Sequence, residues 1–333
     1  MIVVNAALGL LPVLAFLGVL IFLDSYKLVK LNFVVRALVI GTIAALASLI
    51  INYLLIKLTG LPLKTFVRYP APLVEETFKI IFMVYLIRTH KVGFLVDAAI
   101  LGFAVGAGFA VVENVYYLNN LKDANILLWV VRGFGTAAMH GGTTAIAAMI
   151  TKFFVDRYNN SLWVVLPGLV TAAAIHSIYN HFFLPPLIAT AVLLIIQPLL
   201  IILFFGQSEK ATEHWLGTGL DTDLQTYEAI SRGKILETKV GTYLESLNDH
   251  FPYNVVADLF EYLKIHLELS MQAKGILLAR KLGVVTQPDV HTRSMFDELK
   301  VLEERIGPTA KLAIHPFLRR SSRELWEVHM LSQ

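Results

Sequence analysis

The chain contains no cysteine among its 333 residues. Thiol catalysis, disulfide bonds, iron–sulfur clusters and thiolate zinc sites all need cysteine sulfur, so each of them is excluded. Any reaction centre in this protein must therefore use carboxylates, imidazoles, amides, hydroxyls or amines.

Charged residues are scarce as well. They make up 16% of the sequence, whereas hydrophobic residues make up 56% and the mean hydropathy is +0.65. These values are typical of a polytopic membrane protein and not of a soluble globular chain. Residues 1–205 carry 13 Lys/Arg and 7 Asp/Glu, and residues 206–333 carry 15 and 18. Nothing in this pattern resembles a basic nucleic-acid surface, so we expect a lipid bilayer and no nucleic acid as partner.

Seven apolar stretches approach the length of about 20 residues that crosses a hydrocarbon core. The predicted spans are 5–24, 34–57, 71–89, 93–118, 126–150, 162–183 and 186–205. The third span is the weakest because it contains Glu75, Glu76 and Lys79, and a re-entrant segment is the alternative there. We predict an all-α fold: a polytopic membrane helix bundle of about seven spans, followed by a C-terminal soluble helical domain.

Two features of the loops and the first span predict localisation. Residues 2–23 lack a basic leader and a small-residue cleavage site, which predicts an uncleaved first span. With the amino terminus outside, the inner loops carry Lys27, Lys30, Arg36, Arg88, Lys91, Lys152 and Arg157, and the outer loops carry Lys57, Lys64, Arg68 and Lys122. This excess of inner positive charge predicts a multi-pass cell-membrane protein with its C-terminal domain in the cytoplasm.

Residues 206–333 show the pattern of a helical cytoplasmic domain. Apolar and charged residues alternate near period 3.6 between Pro252 and Gly283, which predicts one amphipathic helix with those two residues at its ends. Further helices are predicted at 224–248, 288–306 and 309–330, broken by Gly307-Pro308 and Pro316. Since no nucleotide-binding or metal motif is present, we predict a helical bundle that is either regulatory or binds a protein partner.

Ionisable residues inside the spans are costly in hydrocarbon and therefore indicate a functional site. In the third span Lys79 lies three and four residues after Glu76 and Glu75, so it can pair with either acid. The other acid is then a candidate general base for water. An ion pair that faces the headgroups is the alternative, which Arg68 and Pro70 favour.

The fourth and fifth spans add further polar residues. Glu113 and Asn114 end the fourth span, and the spacing of Gly102 and Gly106 within it predicts close helix packing. A polar stripe that should face the bundle interior recurs every four residues in the fifth span, at Arg132, Thr136, His140 and Thr144. Arg132 is a candidate counter-ion for Glu113 or Asp97.

The sixth span places His176 and Asn180 on one face, whereas His181 points elsewhere. These two residues could donate hydrogen bonds to an oxyanion, or His176 could ligate a metal that Asn180 orients. His181 belongs either to the site or to the surface. In the predicted topology the acids and histidines of four spans fall in one layer, displaced toward the outside.

This ordered set of motifs resembles the PrsW family of intramembrane proteases, which looks related to CAAX-prenyl and bacteriocin-processing proteases. The matching segments are Glu-Glu-x-x-Lys at 75–79, Phe-x-x-x-Glu-Asn at 109–114, His140, and His-x-x-x-Asn at 176–180. The resemblance implies a transmembrane protease domain at 1–205 that cleaves a membrane-anchored protein near the extracytoplasmic face. It implies that the catalytic residues are Glu75, Glu76, Glu113, His140, His176 and Asn180, and we add as supporting residues Lys79, Asn114, Arg132 and His181.

The sequence leaves alternatives open for both the metal dependence and the function of the protein. A hydrolase built on two glutamates and a histidine needs no metal, while Glu113, His140 and His176 could also hold zinc. Other intramembrane protease motifs, such as His-Glu-x-x-His and Gly-x-Ser-x-Gly, are absent. The alternative functions are a proton- or ion-coupled transporter or sensor, against which no internal repeat is found, and an inactive scaffold that signals through residues 206–333.

Overall fold

The computed structural model describes residues 2–121, 125–158, 161–284, 289–315, 318 and 322–331, and this part of the chain contains helices and no strand. The predicted all-α fold is confirmed. In chain order the α-helices are α1 Ile2–Leu23, α2 Leu31–Thr59, α3 Leu63–Arg68, α4 Pro70–Arg88, α5 Leu95–Asn120, α6 Ile126–Val130, α7 Ala137–Tyr158, α8 Leu166–His181, α9 Pro186–Ser231, α10 Lys239–Ser246, α11 Tyr253–Lys281, α12 Val290–Ile314 and α13 Ser322–Leu331.

The chain forms two compact units, Met1–Ser208 and Glu209–Gln333. The helical segments long and apolar enough to cross a membrane are Val3–Leu23, Leu31–Thr59, Leu95–Asn120, Trp163–His181 and Pro186–Ser231, the last of which begins in the first unit and ends in the second. These are five among the described residues, so the predicted count of about seven is not confirmed. Charged and polar side chains lower the hydropathy of α4 and α7, which carry much of the candidate site. The chain is a membrane protein. Its orientation stays a prediction, and Lys122, one of the residues used to predict it, lies outside the described residues.

Helix α5 forms the centre of the membrane unit. It packs most extensively against α7 and α2, and 83% of the residues in its most apolar segment are buried. Gly102 and Gly106 lie against the backbone of α7 at Thr144 and His140, where a Cβ atom would collide with a carbonyl oxygen. The predicted close packing at this glycine pair is confirmed, and it brings α5 directly against the turn that carries His140.

The predicted fifth span, 126–150, is not one regular helix. A π-helical turn at Val131–Thr136 separates α6 from α7. Such a turn inserts extra backbone into the helix, so the stripe that begins at Arg132 does not continue in four-residue steps. Arg132 and His140 nevertheless meet at the same carboxylate, that of Glu113.

The predicted seventh span also differs, because α9 does not end at residue 205. It continues to Ser231 through a polar stretch that contains no proline to break the helix. The predicted helix 224–248 is therefore wrong: its first part belongs to α9, and Gly233, with φ +69°, lies in the turn before α10. The assignment of 1–205 and 206–333 to a protease domain and a cytoplasmic domain stays a prediction.

In the second unit, the predicted ends of the amphipathic helix are confirmed. Pro252 caps α11, and Gly283 follows it with φ +81°. The predicted helix 288–306 is too short, since α12 continues through a kink at Gly307 to Ile314. The predicted helix 309–330 is replaced by the end of α12 and by α13, and Pro316 lies outside the described residues.

A buried ionic cluster attaches α13 within the second unit. Lys274 Nζ lies 2.8 Å from Asp223 Oδ2 and 3.1 Å from Glu327 Oε1, and Ser270 Oγ lies within hydrogen-bond distance of both acids, 2.9 Å from Asp223 Oδ2 and 3.1 Å from Glu327 Oε2. Two carboxylates thus share one lysine in a site where Glu327 is 2% exposed. Burial raises the pKa of the Glu327 carboxyl to about 7, although Lys274 opposes the shift.

This shift predicts a pH-dependent attachment of α13. The pKa of Glu327 is higher in the folded chain than its ordinary 4.5. The protonated carboxyl therefore stabilises the attachment of α13 fully below pH 4.5, and this stabilisation is lost as the pH rises through 7. At about 1.4 kcal/mol per pH unit, the total loss is about 3 kcal/mol. Amide exchange of residues 322–331, corrected for its intrinsic pH dependence, should show more protection at pH 5.5 than at pH 8. The variant Glu327→Gln should lose this difference, and equal protection at both pH values in the unsubstituted chain would contradict the prediction.

Candidate active site

Glu76 of α4 is the anchor of a buried polar cluster. Its Oε1 accepts hydrogen bonds from Lys79 Nζ at 2.6 Å and from His176 Nδ1 at 2.8 Å, and Thr143 Oγ1 lies 3.2 Å away. Lys79 is fully buried and Glu76 is 1% exposed. A buried ion pair needs such additional hydrogen bonds, because desolvation removes much of the Coulomb gain. Glu76 is therefore the acid that pairs with Lys79.

Glu75 has a different environment from its neighbour. Its Oε1 accepts a hydrogen bond from Asn52 Nδ2 at 3.2 Å, and its Oε2 lies 3.8 Å from His176 Nε2. The side chain keeps 18% of its surface exposed. Since His176 Nδ1 donates to Glu76, the Nε2 atom of the neutral ring carries a free lone pair that faces Glu75.

His140 links the cluster to Glu113 at the end of α5. Lys79 Nζ lies 3.1 Å from His140 Nδ1, and His140 Nε2 lies 2.9 Å from Glu113 Oε2. An ammonium group can only donate, so Nδ1 accepts and Nε2 carries the hydrogen that is donated to Glu113. Arg132 contacts the other oxygen of Glu113 at 3.3 Å. The predicted pairing of Arg132 with Glu113 is confirmed.

Aromatic rings enclose one side of the cluster. The rings of His140 and His176 stack edge to face with centroids 4.8 Å apart, and Phe109 lies 5.0 Å from His140. Lys79 Nζ stands 4.7 Å above the Phe109 ring. Lys79 is fully buried beside this wall, and the low dielectric of a buried site strengthens the electrostatic contacts within the cluster.

The other predicted residues lie around this centre. Asn114 Nδ2 donates to the Gly9 carbonyl and its Oδ1 accepts from Arg132 Nε, so it fixes the arginine against α1. Asn180 Nδ2 donates to the carbonyl of Val67 at 3.0 Å, and is thus directed at the segment before α4. His181 contacts the Ser177 carbonyl and the Tyr69 hydroxyl. The oxyanion role of Asn180 stays a prediction.

Three residues of the cluster have the spacing of a metal-ligand set. In the described part of the chain, Glu75, His140 and His176 each offer a ligand atom, and these atoms all lie within 4.8 Å of one another. Each histidine also donates a hydrogen bond from its other ring N–H to a carboxylate, His176 Nδ1 to Glu76 and His140 Nε2 to Glu113. Zinc-binding histidines are oriented in this way in proteins.

A family model described as PrsW family intramembrane metalloprotease matches residues 30–206, just over half of the chain. The chain belongs to this family. The match covers α2 to α8 and the first part of α9, and so includes every residue of the cluster. The comparisons with curated proteins and with solved structures found no match.

Membership of the PrsW family makes this protein a membrane protease, and the family description implies a metal. The donor set fits zinc, because two histidines and one glutamate with an open fourth position form a known catalytic zinc site. His176 Nε2 needs no rearrangement to become a ligand. His140 Nδ1 must lose its contact with Lys79 Nζ. The set differs from the predicted one, since Glu75 and not Glu113 groups with the two histidines.

Two residues of the site are missing from the sequence-based prediction. Asn52 on α2 holds Glu75, and Thr143 on α7 holds Glu76. Asn52 could have been found as a carboxamide inside a long apolar span, which is expensive unless it has a partner. Thr143 stands three residues after His140, but a threonine in a membrane helix commonly bonds to its own backbone and gives no distinct signal.

We expect the purified protein to retain about one zinc ion per chain, and the variant His176→Ala to lose it. The reason is that His176 Nε2 supplies a ligand whose orientation is fixed by Glu76. Elemental analysis after extraction in mild detergent, without a metal-affinity tag, measures the stoichiometry. The variant His181→Ala is the matched control, because His181 lies outside the cluster. Equal zinc content in both variants would refute this ligand assignment.

Proposed function

We propose that this PrsW family member is an endopeptidase that hydrolyses one peptide bond of a membrane-anchored protein near the extracytoplasmic face. The main support is the grouping of Glu75, His140 and His176 within 4.8 Å beside the buried Glu76–Lys79 pair. Clusters of this kind are costly inside a membrane protein and are expected where they perform a reaction. The face of cleavage rests on the predicted topology.

Glu75 acts as the general base for water in this proposal. Within the described part of the chain it contacts no lysine or arginine, unlike Glu76 and Glu113, and the neutral amide of Asn52 holds one of its oxygens. The oxygen that faces His176, Oε2, would bind the metal, and the other oxygen, Oε1, takes the proton of the attacking water through its second lone pair while the hydroxyl forms a bond to the carbonyl carbon. When the carbon–nitrogen bond breaks, Glu75 transfers this proton to the leaving amine, so the reaction consumes one water.

The other residues of the cluster orient the reacting groups. A zinc ion held by Glu75, His140 and His176 would polarise the scissile carbonyl and the water. Glu76 keeps His176 in the tautomer with a free Nε2, Glu113 does the same for His140 Nδ1, and Lys79 balances the charge of Glu76. If His176 and Asn180 stabilise the oxyanion, the Asn180 amide must turn away from the Val67 carbonyl.

A comparison of protein termini tests this function. New amino termini are identified across the membrane proteome of cells that express, at matched levels, the unsubstituted chain, Glu75→Gln or Thr77→Val. Thr77 is on the same helix, and its hydroxyl bonds to the Leu73 carbonyl at 2.7 Å, so this variant controls for changes in α4. We expect termini that disappear in Glu75→Gln and persist in Thr77→Val. Identical profiles for all three chains would reject proteolysis and favour an ion-coupled transporter or sensor.

A further inference from the structure

A groove runs between α7, α8 and α9 in the membrane unit. Its volume is about 410 Å³, and most of the side chains that line it are aliphatic or aromatic. Its lining follows α9 from Ala189 to Phe205, a distance of about 24 Å at 1.5 Å per residue. None of the predicted catalytic residues lines it, so the groove is an addition to the site described above.

The groove lies next to the catalytic cluster, on the other side of Thr143 of α7. Thr143 lines the groove, and its Oγ1 lies 3.2 Å from Glu76 Oε1. Met139 and Gly142, which also line it, lie one residue before and two residues after His140 on α7. A chain that lies in the groove is therefore separated from the cluster by the width of one side chain.

The backbone conformation of an occupant decides which contacts it can make in the groove. A helix pairs its own N–H and C=O groups, so a helical segment would contact the groove with side chains alone. An extended segment offers free backbone N–H groups to polar side chains of the groove. Extended backbone in an apolar environment has unpaired N–H and C=O groups, each of which needs a partner.

Gln197 of α9 provides such a partner. Its Nε2 donates to the Ala138 carbonyl at 3.1 Å, which fixes the carboxamide in the groove wall. Among the described residues, none donates a hydrogen bond to its Oε1. A carboxamide in a membrane helix is costly unless both of its ends are paired. The free acceptor fits a peptide N–H, whereas a lipid acyl chain offers no donor.

We propose that this groove is the subsite for an apolar, extended stretch of the substrate next to the scissile bond, with Gln197 Oε1 accepting a backbone N–H. The inference rests on the proposed function and adds the substrate class: a membrane-anchored segment with bulky apolar residues that unwinds beside α9. Leu193 is a partly buried wall residue of the groove. Ile195, on the same helix, is 62% exposed and lies outside the groove.

The test extends the terminus comparison to Leu193→Trp, which fills the groove, and Ile195→Trp, its matched control. For Leu193→Trp we expect about a tenfold or greater loss of the termini flanked by bulky apolar residues, with a shift toward small flanking residues. Ile195→Trp should match the unsubstituted chain. Some termini could depend on Glu75 and yet keep their yield and flanking sequence in Leu193→Trp. This result would reject the groove as a substrate subsite, while the protease function would stand. The absence of any Glu75-dependent terminus would remove both.

A photo-crosslinking amino acid at position 193 shows whether a peptide or a lipid occupies the groove. The probe is placed at 193 or 195 in the full-length Glu75→Gln chain, irradiated in intact membranes, and the adducts are identified by mass. We expect adducts at 193, and not at 195, with substrate residues adjacent to the cleaved bond. Lipid adducts alone at 193, or equal peptide adducts at both positions, would show that the groove does not receive the substrate.

Discussion

Replacing Glu75 by glutamine is expected to lower the rate of peptide-bond hydrolysis by roughly 10²- to 10⁴-fold and to leave the protein folded. Glu76 and Glu113 each contact a lysine or arginine, whereas Glu75 accepts a hydrogen bond from the neutral amide of Asn52. A glutamine at 75 has nearly the same shape, leaves no buried cation unpaired, and cannot take a proton from water. The loss should therefore appear in the rate and not in the stability.

The measurement uses the purified protein in liposomes with a reporter that contains a segment found by the terminus comparison. Glu113→Gln should lose about 10- to 100-fold, since Glu113 acts through His140 as a positioning residue. Thr77→Val should keep the full rate. A larger loss in Glu113→Gln than in Glu75→Gln would transfer the role of general base to Glu113, and full activity of Glu75→Gln would exclude Glu75 from the chemistry.

Much of the candidate site could be predicted because its residues are expensive where they stand. Glu76, Lys79, Glu113, His140 and His176 interrupt apolar stretches, and in the structure each contacts at least one other member of this set. The lysine could pair with either of two acids by spacing alone. The choice of Glu76 depends on His176, one hundred residues away, whose ring nitrogen is 2.8 Å from the same oxygen.

What could not be predicted depends on packing between distant helices. The metal-ligand set is one example. In the sequence, Glu75 and Glu113 are both acids within apolar stretches, and only the folded structure shows that Glu75 is the one grouped with both histidines. The π-helical turn at Val131–Thr136 is another, since its residues carry no distinct signal. The length of α9 could not be predicted for a third reason: the change from apolar to polar residues after Phe205 predicts a membrane boundary but does not end a helix.

The second large effect concerns stability. The variant Lys79→Met is expected to leave the Glu76 carboxylate without its cation, and Glu76→Gln is expected to leave a fully buried ammonium without its anion. Breaking a buried pair from one side costs about 3–5 kcal/mol, because the remaining charge is still desolvated. Each single variant should therefore lower the free energy of unfolding by about that amount. Denaturant titration in mixed micelles, followed by fluorescence, measures it.

The double variant Glu76→Gln/Lys79→Met decides whether the pair itself produces the effect. Because removal of both charges leaves no unpaired ion, the double variant should be more stable than either single one, with a coupling energy of about 2–3 kcal/mol. The exposed pair Asp297 and Lys300, whose side chains are 81% and 77% exposed, is the matched control and should show almost no coupling. Additive losses at 76 and 79 would mean that each side chain stabilises the bundle on its own. In either case the double variant should remain inactive, since His176 loses the carboxylate that fixes its tautomer; an active double variant would separate the ion pair from catalysis.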